Sequence, residues 1–330
     1  ISEFEAYLTE IAPVHYEFKC LNKNVRAWTK DRNYLPFVDR LIFKVVDNDN
    51  QAINQLKAGE VDAVESLAYA NAAEIDGFAG TTTITRSGWE VEELFFNTLD
   101  EHFADVHVRR ALALALDRVA MTRALTFGYG ETANTVLPAT IRYSTTDAVN
   151  ALVLDLKAAE DELKLSAFPD GFDTTISIAS GNNVRLQEAQ IVQAAGRAIG
   201  INIAINAQEI ATFRSDFRSL NFSMMINSAI ADFPDADSIF AFQVDPEGFS
   251  QCYWTSYKND EAVALMKAGQ VTLDGDERAS IYASLQQLLA DEVPYIPLYY
   301  ASRVVGVRNN IEGLVILPNG TADFNDVVKK

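Results

Sequence analysis

Short apolar runs along this chain alternate with longer stretches in which apolar residues return every three or four positions, the pattern of strands interleaved with helices. Leu41, Ile42, Phe43, Val45 and Val46 read as a buried strand over 41–46, followed by a helix over 51–58 that Gly59 closes. A strand follows over 61–64, and Glu92-Glu93-Leu94-Phe95-Phe96-Asn97 reads as another. Val108, Ala111, Leu112, Ala115 and Leu116 share one face of a helix predicted from 106 to about 125. The clearest unit begins with a strand over 174–178. A helix over 184–199 places Ile191, Ala194, Ala195, Ala198 and Ile199 on one face, Gly200 stops it, and Ile201, Ile203 and Ile205 then alternate in strand period. This βαβ pattern predicts a right-handed parallel crossover. A helix near 210–220 leads into a strand over 222–226. A late helix over 277–289, with Ile281, Leu285, Leu288 and Leu289 inward, precedes the apolar run 294–300 and a strand over 302–307. The class is α/β, and with no repeat and no Pro/Gly/Ser linker, any two lobes must be joined by crossing strands.

Composition narrows the picture. The 330 residues are 48% hydrophobic, enough for a sizeable core. Acidic residues outnumber basic ones 46 to 27, giving a formal charge of −19. A field of that sign repels phosphate backbones, which argues against a nucleic-acid partner. No apolar run is long enough to span a membrane. Glu3 and Glu5 stand where a secretion signal would carry Lys or Arg. Cys20 and Cys252 make no metal or redox spacing; they are read as buried free thiols, with a disulfide between them as the alternative.

Catalytic chemistry is poorly represented. The histidines are His15, His102 and His107, the last two expected on a helix surface, and no hydrolase, zinc or phosphate-loop motif is present. Asp47-Asn48-Asp49-Asn50-Gln51 opens like a calcium loop, but Ala52 and Ala58 occupy the positions that need Gly and Glu. Asp276 is expected to cap the late helix. No metal and no cofactor is expected. The most informative cluster is Ala231-Asp232-Phe233-Pro234-Asp235-Ala236-Asp237-Ser238, just past the carboxyl end of a predicted strand, where α/β sheets form ligand crevices. Its carboxylates suit an ammonium group or a metal; equally, Asp237 or Ser238 could cap a helix starting at Ile239. The pattern alone leaves both open.

With that cluster reached, the chain resembles the extracellular solute-binding proteins of the oligopeptide- and dipeptide-binding type, which serve ABC importers. Leu56-Lys57-Ala58-Gly59-Glu60-Val61-Asp62 is similar to the family's L-x-x-G-E-[VI]-D. Phe96-Asn97-Thr98 and the stretch from Phe103 through Asp105, Val108 and Arg109 to Asp117-Arg118 are similar to F-N-T … F-x-D-V-R-V-R-x-A-[LI]-x-x-A-[IL]-D-R. Phe168-Pro169-Asp170-Gly171-Phe172, Ile199-Gly200-Ile201 and Val293-Pro294-Tyr295-Ile296-Pro297-Leu298-Tyr299 match three further fragments in order. Ala231-Asp232-Phe233-Pro234-Asp235 is similar to A-D-Y-x-[DE]-P, whose Asp receives a peptide's α-ammonium group.

The resemblance implies a type II periplasmic-binding-protein fold with mixed sheets, with lobe I over 1–94 plus 299–330 and lobe II over 95–298. It implies hinge crossings near 95–97 and 296–299, and part of lobe I missing at the N-terminus. The implied protein is a monomer that catalyses nothing. It closes around a peptide or related small solute outside the cytoplasm, with a lipid anchor in the parent as one option, and delivers the solute to a membrane permease and its ATPase. The candidate ligand-binding residues are Asp232, Phe233, Asp235, Ala229 and Asn97. Ala229 stands where the family usually has an aromatic, and no arginine lies on the strand leading to Asp232. The same fold could carry nickel, haem, an opine or an oligosaccharide. More distant readings are a glycosidase using Asp232 and Asp235 and a structural or adhesive role.

Overall fold

A computed structural model describes residues 40–46, 48–65, 67–247 and 255–330 with residue 38, and the backbone of 6–12 and 15–20. Cys252, the side chain of Cys20 and the side chain of His15 lie outside the described residues, as does Asp47. The chain divides into two compact units, 1–86 with 302–330, and 87–301.

In the first unit, β1 (Ala6–Ala12), β2 (His15–Cys20) and β3 (Leu41–Lys44) form an antiparallel sheet. Helix α1 (Asp49–Ala58) starts earlier than its apolar period indicates, because the Asn48 side chain accepts a hydrogen bond from the Gln51 amide and caps it. Gly59, in the left-handed region at φ 78°, ends it as expected. Next come β4 (Ala63–Val64), α2 (Ala72–Gly77) and the long strand β5 (Thr81–Phe96), which leaves this unit at Arg86.

The unit 87–301 holds the larger core. The helix expected over 106–125 is two helices, α3 (Val106–Ala115) and α4 (Arg118–Thr126). Leu116 is extended, and the Asp117 side chain accepts from the Ala120 amide, so a new helix starts where the apolar period continues unbroken. After β6 (Gly130–Thr132) and α5 (Leu156–Leu165), the expected βαβ unit is present as β7 (Phe172–Ala179), α6 (Asn183–Ala198) and β8 (Ile201–Gln208). The two strands pair in parallel from Phe172↔Ile201 to Ala179↔Gln208. The buried face of α6 runs through Ala189, Val192, Ala195 and Gly196, while Ala194 and Ala198 are exposed, a small rotation from the predicted face.

Helix α7 (Ile210–Ser219) leads to β9 (Met224–Ile230), which starts later than predicted and runs on past Ile226. Helices α8 (Asp237–Gln243), α9 (Asp260–Val271) and α10 (Asp276–Glu292) precede β10 (Tyr295–Arg308), which returns to the first unit. There β10 pairs with β4, and the short strands β11 (Ile311–Glu312), β12 (Val315–Ile316), β13 (Ala322–Asp323) and β14 (Val328–Lys329) pair as β11–β14 and β12–β13.

Within 87–301 the strand order is β10-β5-β9-β7-β8, with β6 beside β10. The pairing is mixed: β5 runs antiparallel to β9, and β9 parallel to β7. Residues 91–96 are buried without interruption because both faces of the sheet are covered. Leu94 and Phe96 join Leu112, Ile176, Ile201 and Ile226 in one apolar cluster; Val91 and Phe95 join Ala229, Phe240, Tyr282 and Leu285 in another. Residue 230 therefore marks the point where a doubly covered sheet gives way to a loop.

Candidate functional site

The acidic cluster follows directly from the end of β9. The Ala231 amide donates to the carbonyl of Trp89 on β5 (3.2 Å), which fixes where the turn leaves the sheet. The Ser238 hydroxyl then accepts from the amides of Asp232 (2.7 Å) and Phe233 (3.4 Å). Neither Asp237 nor Ser238 caps α8. Ala236 is its N-cap and provides no side-chain bond, because Ser238 is turned toward the preceding turn and Asp237 toward a guanidinium.

That guanidinium belongs to Arg278 on α10. Its Nη1 donates to Asp235 Oδ2 (2.7 Å) and Asp274 Oδ1 (3.0 Å), and its Nη2 to Asp235 Oδ1 (2.9 Å) and Asp237 Oδ2 (2.9 Å). Nε donates to the Gly269 carbonyl (2.8 Å), and the group lies against the rings of Tyr143 and Tyr282, 5.0 and 5.2 Å from their centroids. The Tyr282 hydroxyl donates to Asp237, and the Tyr143 hydroxyl to Asp274. Asp276 begins α10 without capping it; Gly275 holds the cap position, and no side chain bonds there. Arg142 and Arg278 draw the nearby Asp274 to themselves instead.

Of the four carboxylates in this region, three are thus held by Arg278. Asp232 is exposed, and its carboxylate has no hydrogen-bond or ion-pair partner among the described residues. Phe233 beside it is 49% exposed.

The other expected site residues are placed differently. Ala229 is buried on β9 opposite Val91, in the second apolar cluster. Asn97 is buried at the far end of β5; its Nδ2 donates to the carbonyls of Leu220 (3.0 Å) and Phe222 (2.9 Å), and its Oδ1 accepts from the Leu99 amide. The turn therefore brings Asp232, Phe233 and Asp235 together. Asn97 pairs with the β9 end opposite to that turn, since Phe96 lies across from Met224 and Glu90 from Ile230. His107 pairs with Glu162 (2.7 Å). His102 precedes α3 rather than lying on it, and stacks on Phe172 with ring centroids 4.1 Å apart.

Sequence reasoning missed two polar features. One is Arg278, whose spacing to Tyr282, Leu285 and Leu289 continues the buried stripe of α10 and could have marked it as inward-facing. The other is a group of buried carboxylates around β5. Glu92 pairs with Arg185 on α6 (2.6 Å), which also reaches Ser228 (3.2 Å). Glu188, on the same helix, accepts from the Tyr299 hydroxyl, and its second oxygen has no partner among the described residues. On the opposite face Glu93 is fully buried against Gln243 (2.9 Å). Burial raises all three carboxyl groups above the ordinary range. For Glu188, desolvation first and the neighbouring Glu92 second push it to about 8.

The residues that matched family fragments have structural reasons for their identities. The Asp105 side chain caps α3 through the His107 amide (2.9 Å) and also accepts from the Ala167 amide (3.0 Å). Arg109, 3% exposed, donates to the carbonyls of Phe103, Glu292 and Val293; Arg118 donates to those of Ala133, Leu152 and Pro297. Gly171 at φ 83° lies against Gly200, whose carbonyl oxygen would be 2.1 Å from a Cβ at position 171. Among the described residues no group of His, Cys, Asp and Glu is arranged to hold a metal ion, and no helix is long and apolar enough to cross a membrane.

The mixed α/β fold is that of the type II periplasmic-binding-protein class. The ABC transporter-associated periplasmic binding protein DppA of Helicobacter pylori, in complex with the peptide STSA, superposes with a TM-score of 0.86 at 21% identity, covering 99% of this chain and 62% of that one. Residues 16–251 match the profile of the bacterial extracellular solute-binding proteins, family 5 (middle region), and the chain belongs to that family. The oligopeptide-binding protein AppA of Bacillus subtilis is 27% identical over 300 residues, 84% of this chain and 53% of that protein. The heme-binding protein A of Haemophilus influenzae is 25% identical over 295 residues, 88% of this chain and 54% of that protein. The chain thus spans about half the length of these curated relatives. Membership places it among proteins that work outside the cytoplasm, in the periplasm or the extracellular space.

Proposed function

We propose that this chain is the solute-capturing part of an ABC importer, binding a peptide or related small solute through its free ammonium group and passing it to a membrane permease driven by an ATPase. It acts as a monomer, catalyses no reaction and uses no cofactor. The observation that carries the reading is the fate of the carboxylates. Arg278 hydrogen-bonds Asp235, Asp237 and Asp274, while Asp232 is presented to solvent on a turn whose backbone is held by Ser238. Asp232 is the anchor, Phe233 an apolar neighbour for the solute, and Asp235 a member of the turn that carries them. The family assignment and the oligopeptide-binding relative support the same cargo class.

An ammonium that leaves water to bind must be met by a carboxylate. Asp232→Ala should therefore weaken a free-amine peptide by about 2–5 kcal/mol, or roughly thirtyfold to several thousandfold. Calorimetric titration with that peptide and its N-acetylated counterpart checks this. Undiminished binding of the free amine by the variant removes the anchor. The haem-binding relative supports a second cargo class; native mass spectrometry of protein purified without denaturation would show a retained haem if that reading were correct.

A further inference from the structure

We infer that Arg278 is a positioning residue for the ligand anchor: its guanidinium sets the turn that presents Asp232 and prevents Asp235 and Asp237 from competing for the ligand's positive charge. This rests on the reading of Asp232 as the anchor. The turn between β9 and α8 has no regular structure of its own, and Asp235 on it and Asp237 at the start of α8 are neighbours of like charge. The Arg278 side chain is only 9% exposed and donates to both, holding Asp235 through two parallel bonds of 2.7 and 2.9 Å and Asp237 through one of 2.9 Å. Its remaining donors are taken by Gly269 and Asp274, and its faces by Tyr143 and Tyr282.

An ammonium group has no planar fork and cannot make these contacts together. Without them, the carboxylates of Asp235 and Asp237 would repel each other and stand open to the same cation as Asp232. The guanidinium thus has two effects on one site. It fixes the backbone from which Asp232 projects, and it occupies Asp235 and Asp237, leaving Asp232 as the carboxylate with no hydrogen-bond or ion-pair partner among the described residues.

The test is a double-mutant cycle of parent, Arg278→Lys, Asp232→Ala and the double variant. Each is titrated with the free-amine tripeptide that binds the parent best in a tripeptide panel, and with its N-acetylated form. Circular dichroism checks folding. Arg278→Lys should weaken the free-amine peptide about tenfold, the effect of misplacing one charged contact, while leaving the acetylated peptide within about twofold. In the Asp232→Ala background it should add nothing. Equal losses for both peptides, the same loss with and without Asp232, or no loss at all would overturn the positioning role. If Asp232→Ala itself leaves the free-amine affinity unchanged, or no tripeptide binds the parent, the anchor reading fails first and the inference falls with it. Should Arg278→Lys not fold, Asp235→Asn removes one arm of the clamp and is judged by the same outcomes.

Discussion

Asn97 and Asp232 show how similar polar side chains reach opposite ends in one protein. Asn97 directs its amide nitrogen to two carbonyls and its oxygen to one amide, all on backbone, in a buried position. Removing it leaves the Leu220 and Phe222 carbonyls short of a donor, which costs about 1–3 kcal/mol. Asn97→Ala should therefore lower the urea midpoint by that much with an unchanged slope, and leave peptide affinity at the parent value. A loss of affinity with full stability would instead place Asn97 on the ligand. The contrast was only half legible in the sequence. The acidic turn stood out by composition and by its place after a strand. Which of its carboxylates are tied could not be read, because the partner arrives from α10, 43 residues away from Asp235. Of the two residues that could have capped α8, Asp237 is drawn to that distant charge and Ser238 to the Asp232 and Phe233 amides of its own turn.

At the level of elements, legibility followed the strength of periodicity and punctuation. The βαβ unit was readable because Ile201, Ile203 and Ile205 alternate cleanly and Gly200 separates them from the helix. The break between α3 and α4 was not, since the apolar period runs through Leu116 and only the cap at Asp117 reveals it. The first half of β5, rich in threonine and partly exposed, lacks the apolar alternation that would mark a strand. The Gly171–Gly200 approach gives a direct test of the βαβ packing. A Cβ at 171 would meet backbone at 2.1 Å and also hold an unfavourable φ. Gly171→Ala should therefore destabilise by more than about 3 kcal/mol. Gly181→Ala, at φ 86° with nothing within 4 Å, should lose only the conformational part, about 1–2 kcal/mol. Equal urea midpoints for the two variants would show that the close approach contributes nothing.

For the molecule as a whole, charge links stability to pH in an unusual direction. Most acidic proteins are stabilised by carboxylates that ionise more readily when folded, and so lose stability as pH falls. Here Glu92, Glu93 and Glu188 are buried in the unit 87–301, and burial makes each hold its proton more tightly than an exposed carboxyl group would. The folded chain therefore binds more protons than the unfolded chain above the ordinary glutamate value near 4.5. Stability from these groups is fully present below that value and declines as pH rises, for Glu188 until about 8, beyond which it is flat. The formal charge of −19 acts in the same sense, since ionisation adds self-repulsion. Arg185 offsets part of the effect at Glu92, but Glu188 has one oxygen on the Tyr299 hydroxyl and no cation bonded to it among the described residues. Glu188→Gln keeps an acceptor for Tyr299 and removes the titration. Urea unfolding at pH 5, 6, 7 and 8 should show the parent losing stability with rising pH, by up to about 1.4 kcal/mol per unit for each proton released. The variant should lose less across that interval and match or exceed the parent at pH 8. Parallel curves for parent and variant would mean that Glu188 is ionised in the folded chain, and that Arg185 serves both glutamates of the β5–α6 cluster.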